Sequence, residues 1–153
     1  MTPAIVLLEQ KKVEFEVLSY QHDPASTQFG LEAVTKLNLN AQQVFKTLIL
    51  ENTDNQLIVA VTPVAQQVNL KQLAKACGVK KVHMAAAQKV QNSTGYILGG
   101  VSPLGQKKRL KTFIHKTASQ FDVIYVSAGK RGLEIALSPN DLITLSNAQL
   151  ADF

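Results

Sequence analysis

The sequence predicts a mixed α+β fold, an α/β arrangement built on a sheet of about six or seven strands that curls toward a barrel and is surrounded by short helices. Three observations lead there. The stretch Val44-Phe-Lys-Thr-Leu-Ile-Leu50 is largely apolar on both alternating sets, as expected of a strand covered on two faces. At least two connections, Asn52-Thr-Asp-Asn55 and Ala128-Gly-Lys-Arg-Gly132, read as hairpin turns. The remaining helical segments are short and do not alternate strictly with strands, which argues against a doubly wound parallel sheet. At 153 residues the chain suits one domain, 1–153, with no linker or second core required.

From the N-terminus, Thr2-Pro3 supplies a cap and first-turn pair for a helix to about Lys11, and Glu14 to Tyr20 alternates as a strand. Gln21 to Thr27 is polar and reads as loop, leading through Phe29-Gly30 into an amphipathic helix carrying Leu31, Val34 and Leu37. Asn40 caps a single turn before the Val44–Leu50 strand, and Leu57 to Thr62 returns as its hairpin partner. Leu70 to Cys77 forms a helix capped by Asn69 and ended by Gly78. Val79 to Met84 then predicts a short strand and Ala85 to Val90 a short helix.

Gly95-Tyr-Ile-Leu-Gly-Gly-Val-Ser-Pro-Leu-Gly105 is too glycine-rich for a regular element yet too apolar for a solvent loop, so a structured loop is expected. Lys107 to His115 reads as a basic strand, and Phe121 to Ser127 and Leu133 to Leu137 as two more. Ser138-Pro139-Asn-Asp141 starts a last helix.

Apolar residues make up 46% of the chain and charged residues 18%, which excludes a disordered chain. Sixteen Lys and Arg against eleven Asp and Glu leave +5, compatible with an anionic partner such as RNA, a nucleotide or a phosphometabolite. The single Cys77 forms no internal disulfide, and the run Ala4 to Leu8 is too short for a membrane span and lacks the basic lead of a signal peptide. A cytoplasmic protein without a membrane anchor is expected.

Familiar catalytic signatures are missing. His22, His83 and His115 stand singly, with no Cys-x-x-Cys or His-x-x-x-His, so a metal site has no support. Neither Gly-x-Ser-x-Gly nor the glycine motifs of nucleotide-binding loops occur. What stands out is Lys46, which interrupts the apolar strand. Its ammonium either snorkels past the strand end or sits in a partly dry pocket, where it is costly unless it meets a partner or ligand. The loop at Gly99-Gly100-Val-Ser102-Pro103 and the turn beginning Ser127-Ala-Gly129 either simply turn the chain or offer backbone amides to a carbonyl oxygen or phosphate.

Val44-Phe-Lys46-Thr47-Leu48, the run from Ser93 through Gly99-Gly100-Val-Ser102 to Arg109, and Ser127-Ala-Gly-Lys-Arg-Gly-Leu-Glu134 keep an order and spacing that closely resemble the YbaK family of Cys-tRNA(Pro) deacylases. With His22-Asp-Pro24 and Phe29-Gly30, the match covers nearly the whole chain. The resemblance implies a mixed, barrel-like sheet shared with the editing domain of bacterial prolyl-tRNA synthetases. It also implies removal of cysteine from mischarged proline tRNA, with some action on cysteine tRNA, and it calls for no metal or other cofactor.

Position by position, the resemblance makes Lys46 the group that holds the terminal adenosine or its phosphate, and has Gly99, Gly100 and Ser102 present amides to the ester carbonyl. Tyr20, Phe29, Thr47, Ser127 and Gly129 become pocket residues. Glu134 corresponds to a family acidic position, although Leu133-Glu-Ile-Ala-Leu137 also fits an ordinary strand with one polar face. The basic run Lys107, Lys108, Arg109 and Lys111 either contacts tRNA phosphates or is a solvated strand edge.

The implied chemistry lets the substrate thiol attack its own ester carbonyl and leave as a cyclic thiolactone, with attack by water as the rival. The expected partners are the acceptor end of aminoacylated tRNA and, transiently, prolyl-tRNA synthetase, because a domain of roughly 15 Å radius of gyration cannot also reach the anticodon. Two alternatives stay open: an Ala-tRNA(Pro) deacylase, and a non-catalytic RNA- or nucleotide-binding module.

Overall fold

The computed structural model describes residues 1–153. In chain order it contains α1 (Pro3–Gln10), β1 (Phe15–Ser19), α2 (Phe29–Leu37), β2 (Phe45–Asn52), β3 (Leu57–Pro63), α3 (Leu70–Cys77) and β4 (Val82–Met84). These are followed by α4 (Ala87–Thr94), β5 (Lys111–His115), β6 (Ile124–Lys130), β7 (Leu133–Leu137), α5 (Pro139–Ser146) and β8 (Gln149–Ala151). Several boundaries follow from side chains that cap orphaned amides. Thr2 Oγ1 accepts from the Ile5 N–H, Asn69 Oδ1 from Gln72 and Ser138 Oγ from Asn140. Gly78 then ends α3 at φ +74°, a conformation that favours glycine.

The strands form two sheets. One is antiparallel in the order β1-β7-β6; the other is mixed, β4-β2-β3-β5-β8, antiparallel from β4 to β3 and parallel from β3 to β8. A single parallel bridge, Val44 to Tyr125, joins them. The mixed α+β architecture is as expected, but the sheet does not close into a barrel. An eighth strand, β8, pairs with β5 through Phe113 and Gln149 although its three residues carry no strand signal of their own.

The larger sheet is covered on both faces, which explains the doubly apolar β2 and β3. Val59, Val61 and Ile49 point into a core of 20 buried residues shared with Val126, Ile135 and Leu137 of the smaller sheet. Leu50, Ile58, Ala60 and Phe113 face the other way, into a cluster of 8 buried residues under Leu73 and Ala74 of α3. The two faces alternate because successive side chains in a strand project oppositely.

Three expectations shift. The strand placed at Lys107–His115 starts only at Lys111, because the Lys107 and Lys108 N–H groups donate to the Thr94 and Ser93 carbonyls at 3.0 and 2.9 Å and so close the end of α4. The strand is also internal, between β3 and β8, so the basic run is not a sheet edge. The strand placed at Phe121–Ser127 moves to Ile124–Lys130 because Lys116–Gln120 makes a 3₁₀ turn that Phe121 closes. No helix of the chain is long and apolar enough to cross a membrane.

Candidate active site

A cleft of about 480 Å³ opens where β2 approaches β6, walled by α2, the segment after β3, the glycine loop around residue 99 and the β6–β7 turn. β2 supplies Lys46 and Thr47. Lys46 is half-buried, stands opposite Thr62 in the ladder, and has its ammonium pKa lowered by burial. No carboxylate answers it: all ion pairs in the molecule are made by Glu32, Glu51 or Asp152. The Thr47 hydroxyl oxygen is buried and has no hydrogen-bond partner.

β7 brings Glu134 to the same cleft, in register with Ser127 of β6 and Leu18 of β1. Only 7% of Glu134 is exposed and its Oε2 is unpartnered, so desolvation raises its pKa to about 8. Burial thus favours the protonated, neutral form of the side chain. Tyr20 lies near enough to register that group: its pKa is pushed up to about 12 by burial first, then by Glu134 and Glu32, against a backbone hydrogen bond to Gly132.

The loop between β1 and α2, which ends at Phe29, is held by one buried carboxylate. Glu32 Oε1 pairs with His22 Nδ1 at 2.6 Å, while Oε2 accepts the Asp23 N–H at 2.8 Å and lies 3.1 Å from Lys36 Nζ. Burial pushes the Glu32 pKa up, but the Asp23 amide, His22 and Lys36 together outweigh it and bring the value to about 2. Phe29 then forms a wall of the cleft, with His22 5.6 Å from its ring centre and the Arg131 guanidinium 4.5 Å from it.

The glycine loop divides between lining and bracing. Gly99 lines the cleft at φ +86°, and its N–H makes no hydrogen bond within the chain. It also has no room for a side chain, since a Cβ there stands 2.6 Å from Arg131 Nε and 2.7 Å from Phe29 Cε2. Gly100 instead donates its N–H to the Ile97 carbonyl at 3.0 Å, and the fully buried Ser102 hydroxyl accepts the Leu104 N–H at 3.3 Å. Neither borders the cleft, so their place is in holding the loop's shape.

Gly129 is likewise a bulge residue, at φ +104° between Ser127 and Lys130. Its N–H is taken by Ser127 Oγ at 3.1 Å, and a Cβ there would stand 2.5 Å from Tyr96 Cε1. The cleft therefore gathers Tyr20, Phe29, Lys46, Thr47, Gly99, Ser127 and Glu134 from four stretches far apart in sequence. It does not include Gly100, Ser102, Gly129 or the run Lys107, Lys108, Arg109 and Lys111. Lys111 pairs with Ile58, at the end of β3 away from Lys46, and its Nζ is 5.5 Å from the Phe113 ring centre.

Sequence reasoning missed Lys130 and Arg131, which border the cleft, and Glu32, which anchors its entrance loop. A signal for the first pair was present, two cations between the glycines of a hairpin turn; Glu32 on an amphipathic helix carried none.

Residues 23–145 match the profile of the aminoacyl-tRNA editing domain family. The chain is 39% identical over 152 residues to EbsC of Enterococcus faecalis, described as a candidate Cys-tRNA(Pro)/Cys-tRNA(Cys) deacylase, covering 99% of this chain and 92% of that protein. It is 27% identical to the multifunctional Ser/Thr-tRNA deacylase ProXp-y of Escherichia coli K12, over 97% of this chain and 89% of the relative. Among solved structures, that of a candidate trans-editing enzyme for prolyl-tRNA synthetase superposes with a TM-score of 0.83 at 21% identity, covering 98% of this chain and 93% of the other. Hypothetical protein APE2540 superposes with a TM-score of 0.87 at 23% identity, covering 98% and 97%. At such identities the structural likeness speaks for the fold.

Proposed function

Because the chain belongs to the aminoacyl-tRNA editing domain family, we propose that it is a deacylase that removes cysteine from mischarged Cys-tRNA(Pro), and from Cys-tRNA(Cys) to a lesser degree. The observation that carries the mechanism is the make-up of the cleft: a half-buried, unpaired Lys46 and an unoccupied Gly99 N–H, with no histidine or cysteine among the lining residues. Ser127 faces only the buried carboxyl of Glu134, with which it makes no hydrogen bond, and its hydroxyl already accepts the Gly129 N–H. Such a site orients an ester and stabilises an oxyanion but offers no activated nucleophile.

A cysteinyl ester brings its own nucleophile. Its thiol gives its proton to water and attacks the ester carbonyl, and the Gly99 N–H takes the developing oxyanion. The bond from the carbonyl carbon to the ribose oxygen breaks as that oxygen takes a proton from water, releasing a cyclic thiolactone. Lys46 places the terminal nucleotide, and Tyr20, Phe29 and Thr47 border the aminoacyl group. Glu134, neutral at its floor, gives the ester's polar groups a hydrogen-bond donor where an ionised carboxylate would not persist. A seryl ester fits the same space but its hydroxyl is the weaker nucleophile, and an alanyl ester has none. A domain that spans only the acceptor end borrows tRNA identity from a transient complex with prolyl-tRNA synthetase, in the cytosol.

The test is turnover of cysteinyl-, alanyl- and seryl-tRNA(Pro) by wild type and Lys46→Ala, with products identified by mass spectrometry. Loss of the cysteinyl ester alone, with thiolactone formed and a fall of about 10²-fold or more in Lys46→Ala, is the expected result. Preference for the alanyl or seryl ester moves the protein to another editing specificity, and no turnover of any ester leaves an RNA-binding module.

A further inference from the structure

Arg131 and Lys130 stand on the β6–β7 turn at the mouth of the cleft, and both are exposed. Arg131 is nonetheless fixed in place. Its guanidinium lies 4.5 Å from the centre of the Phe29 ring and its Nη2 donates to the Leu98 carbonyl at 2.6 Å. The glycine loop lies close over them: a Cβ on Gly99 would stand 2.6 Å from Arg131 Nε and 2.7 Å from Phe29 Cε2, and one on Gly100 3.3 Å from the Arg131 backbone nitrogen. The freedom that a long side chain normally loses on binding is thus already gone in the free protein.

No acid neutralises this seat. The ion pairs of the molecule involve Glu32, Glu51 and Asp152, and none includes Lys46, Lys130 or Arg131. The one acid lining the cleft, Glu134, is buried and neutral. Three cations therefore surround one opening without a counter-ion, and one of them is a guanidinium locked with N–H donors to spare. Guanidinium donors match a phosphate in pairs, which an ammonium cannot reproduce. Beside them Leu31 and Leu98, 39% and 46% exposed, offer apolar surface of the kind on which unpaired bases rest.

We propose that Arg131 and Lys130 bind phosphodiester groups of the single-stranded 3′ end of the RNA whose aminoacyl ester enters the cleft. The inference rests on the editing reading and moves the phosphate contacts away from the run Lys107 to Lys111. In that run, the Lys107 and Lys108 amides close α4, and none of Lys107, Lys108, Arg109 and Lys111 borders the cleft.

The experiment measures binding of an uncharged acceptor-stem hairpin ending in CCA to the full chain as a function of KCl. It compares wild type with Lys130→Gln, Arg131→Gln, Arg131→Lys and the double variant Lys107→Gln/Lys108→Gln. Each lost phosphate contact is expected to reduce the slope of log K against log[KCl] by about 0.7 for a single strand, so Lys130→Gln and Arg131→Gln become less salt-sensitive. Arg131→Lys keeps the slope but binds more weakly, having lost the stacked fork. Lys107→Gln/Lys108→Gln keeps the wild-type slope.

Unchanged slopes in Lys130→Gln and Arg131→Gln, or a reduction confined to the Lys107/Lys108 variant, overturn the proposal. Lys130, whose side chain makes no hydrogen bond within the chain, decides the matter if Arg131→Gln misfolds. Turnover of two esters, Cys-tRNA(Pro) and cysteinyl-adenosine, the second without phosphate, separates this inference from the reaction. Reduced slopes with neither ester cleaved keep the phosphate seat and reject the deacylase reading, whereas cleavage of both esters with unchanged slopes does the reverse.

Discussion

Glu134 is a carboxyl with one oxygen buried and unpartnered, and its pKa near 8 has a consequence for stability as well as for substrate. In the unfolded chain the group ionises near the ordinary 4.5, so between that pH and about 8 the native state holds a proton that the unfolded state has released. Stability contributed by this site is therefore greatest below pH 4.5 and falls as pH rises toward 8. Glu134→Gln, always neutral, removes that dependence. Urea unfolding at pH 5 and pH 8 is expected to show the variant gaining on wild type across this interval by on the order of 3 kcal/mol. Equal responses of the two proteins to pH would show that the carboxyl is solvated in the native state. The burial that raises the pKa was not legible at this residue, because Leu133-Glu-Ile-Ala-Leu137 has the same alternation whether its polar face meets solvent or a second sheet.

At the scale of elements, the entrance loop and α2 act through Glu32. Its carboxylate gathers an amide, an imidazole and an ammonium, fixing the chain between Tyr20 and Phe29. A depressed folded pKa contributes stability that is present above about 4.5 and is lost as pH falls toward 2, so the loop should loosen in acid. Glu32→Gln is expected to raise KM about tenfold, the equivalent of one charge-assisted hydrogen bond, with a smaller change in kcat. Faster hydrogen exchange at the Asp23 amide would accompany it, whereas a change confined to kcat would place Glu32 in the chemistry instead.

The elements themselves were largely readable, since caps such as Thr2, Asn69 and Ser138 and the apolar alternation of β2 and β3 act within a few residues. Where reading failed, at Lys107–Leu110 and at β8, the deciding hydrogen bonds go to α4 and β5, partners far along the chain or set by topology.

Across the whole molecule, one core unites the two sheets, with Phe45, Ile49, Val59 and Val61 packed against Val126, Ile135 and Leu137. The cleft lies where these sheets meet, so its geometry depends on their remaining together. Ile135→Ala, at a position with no exposure, is expected to cost about 2–5 kcal/mol. Far-UV circular dichroism and tyrosine fluorescence should report a single coincident unfolding transition; two separated transitions would mean that the sheets fold independently.

What the sequence determined by itself is the set of strands and caps, the exclusion of metal, triad and nucleotide-loop motifs, and three motif stretches specific enough to identify the family. Each depends on residue types at short spacing, which the linear chain displays. Only the tertiary structure decided that Gly99 lines the cleft while Gly100, Ser102 and Gly129 do not, that Glu134 is buried, and that Arg131 rather than the Lys107–Lys111 run borders the opening. Those distinctions depend on which side of a loop is covered and by what. Packing between segments sets this, and no local pattern records it.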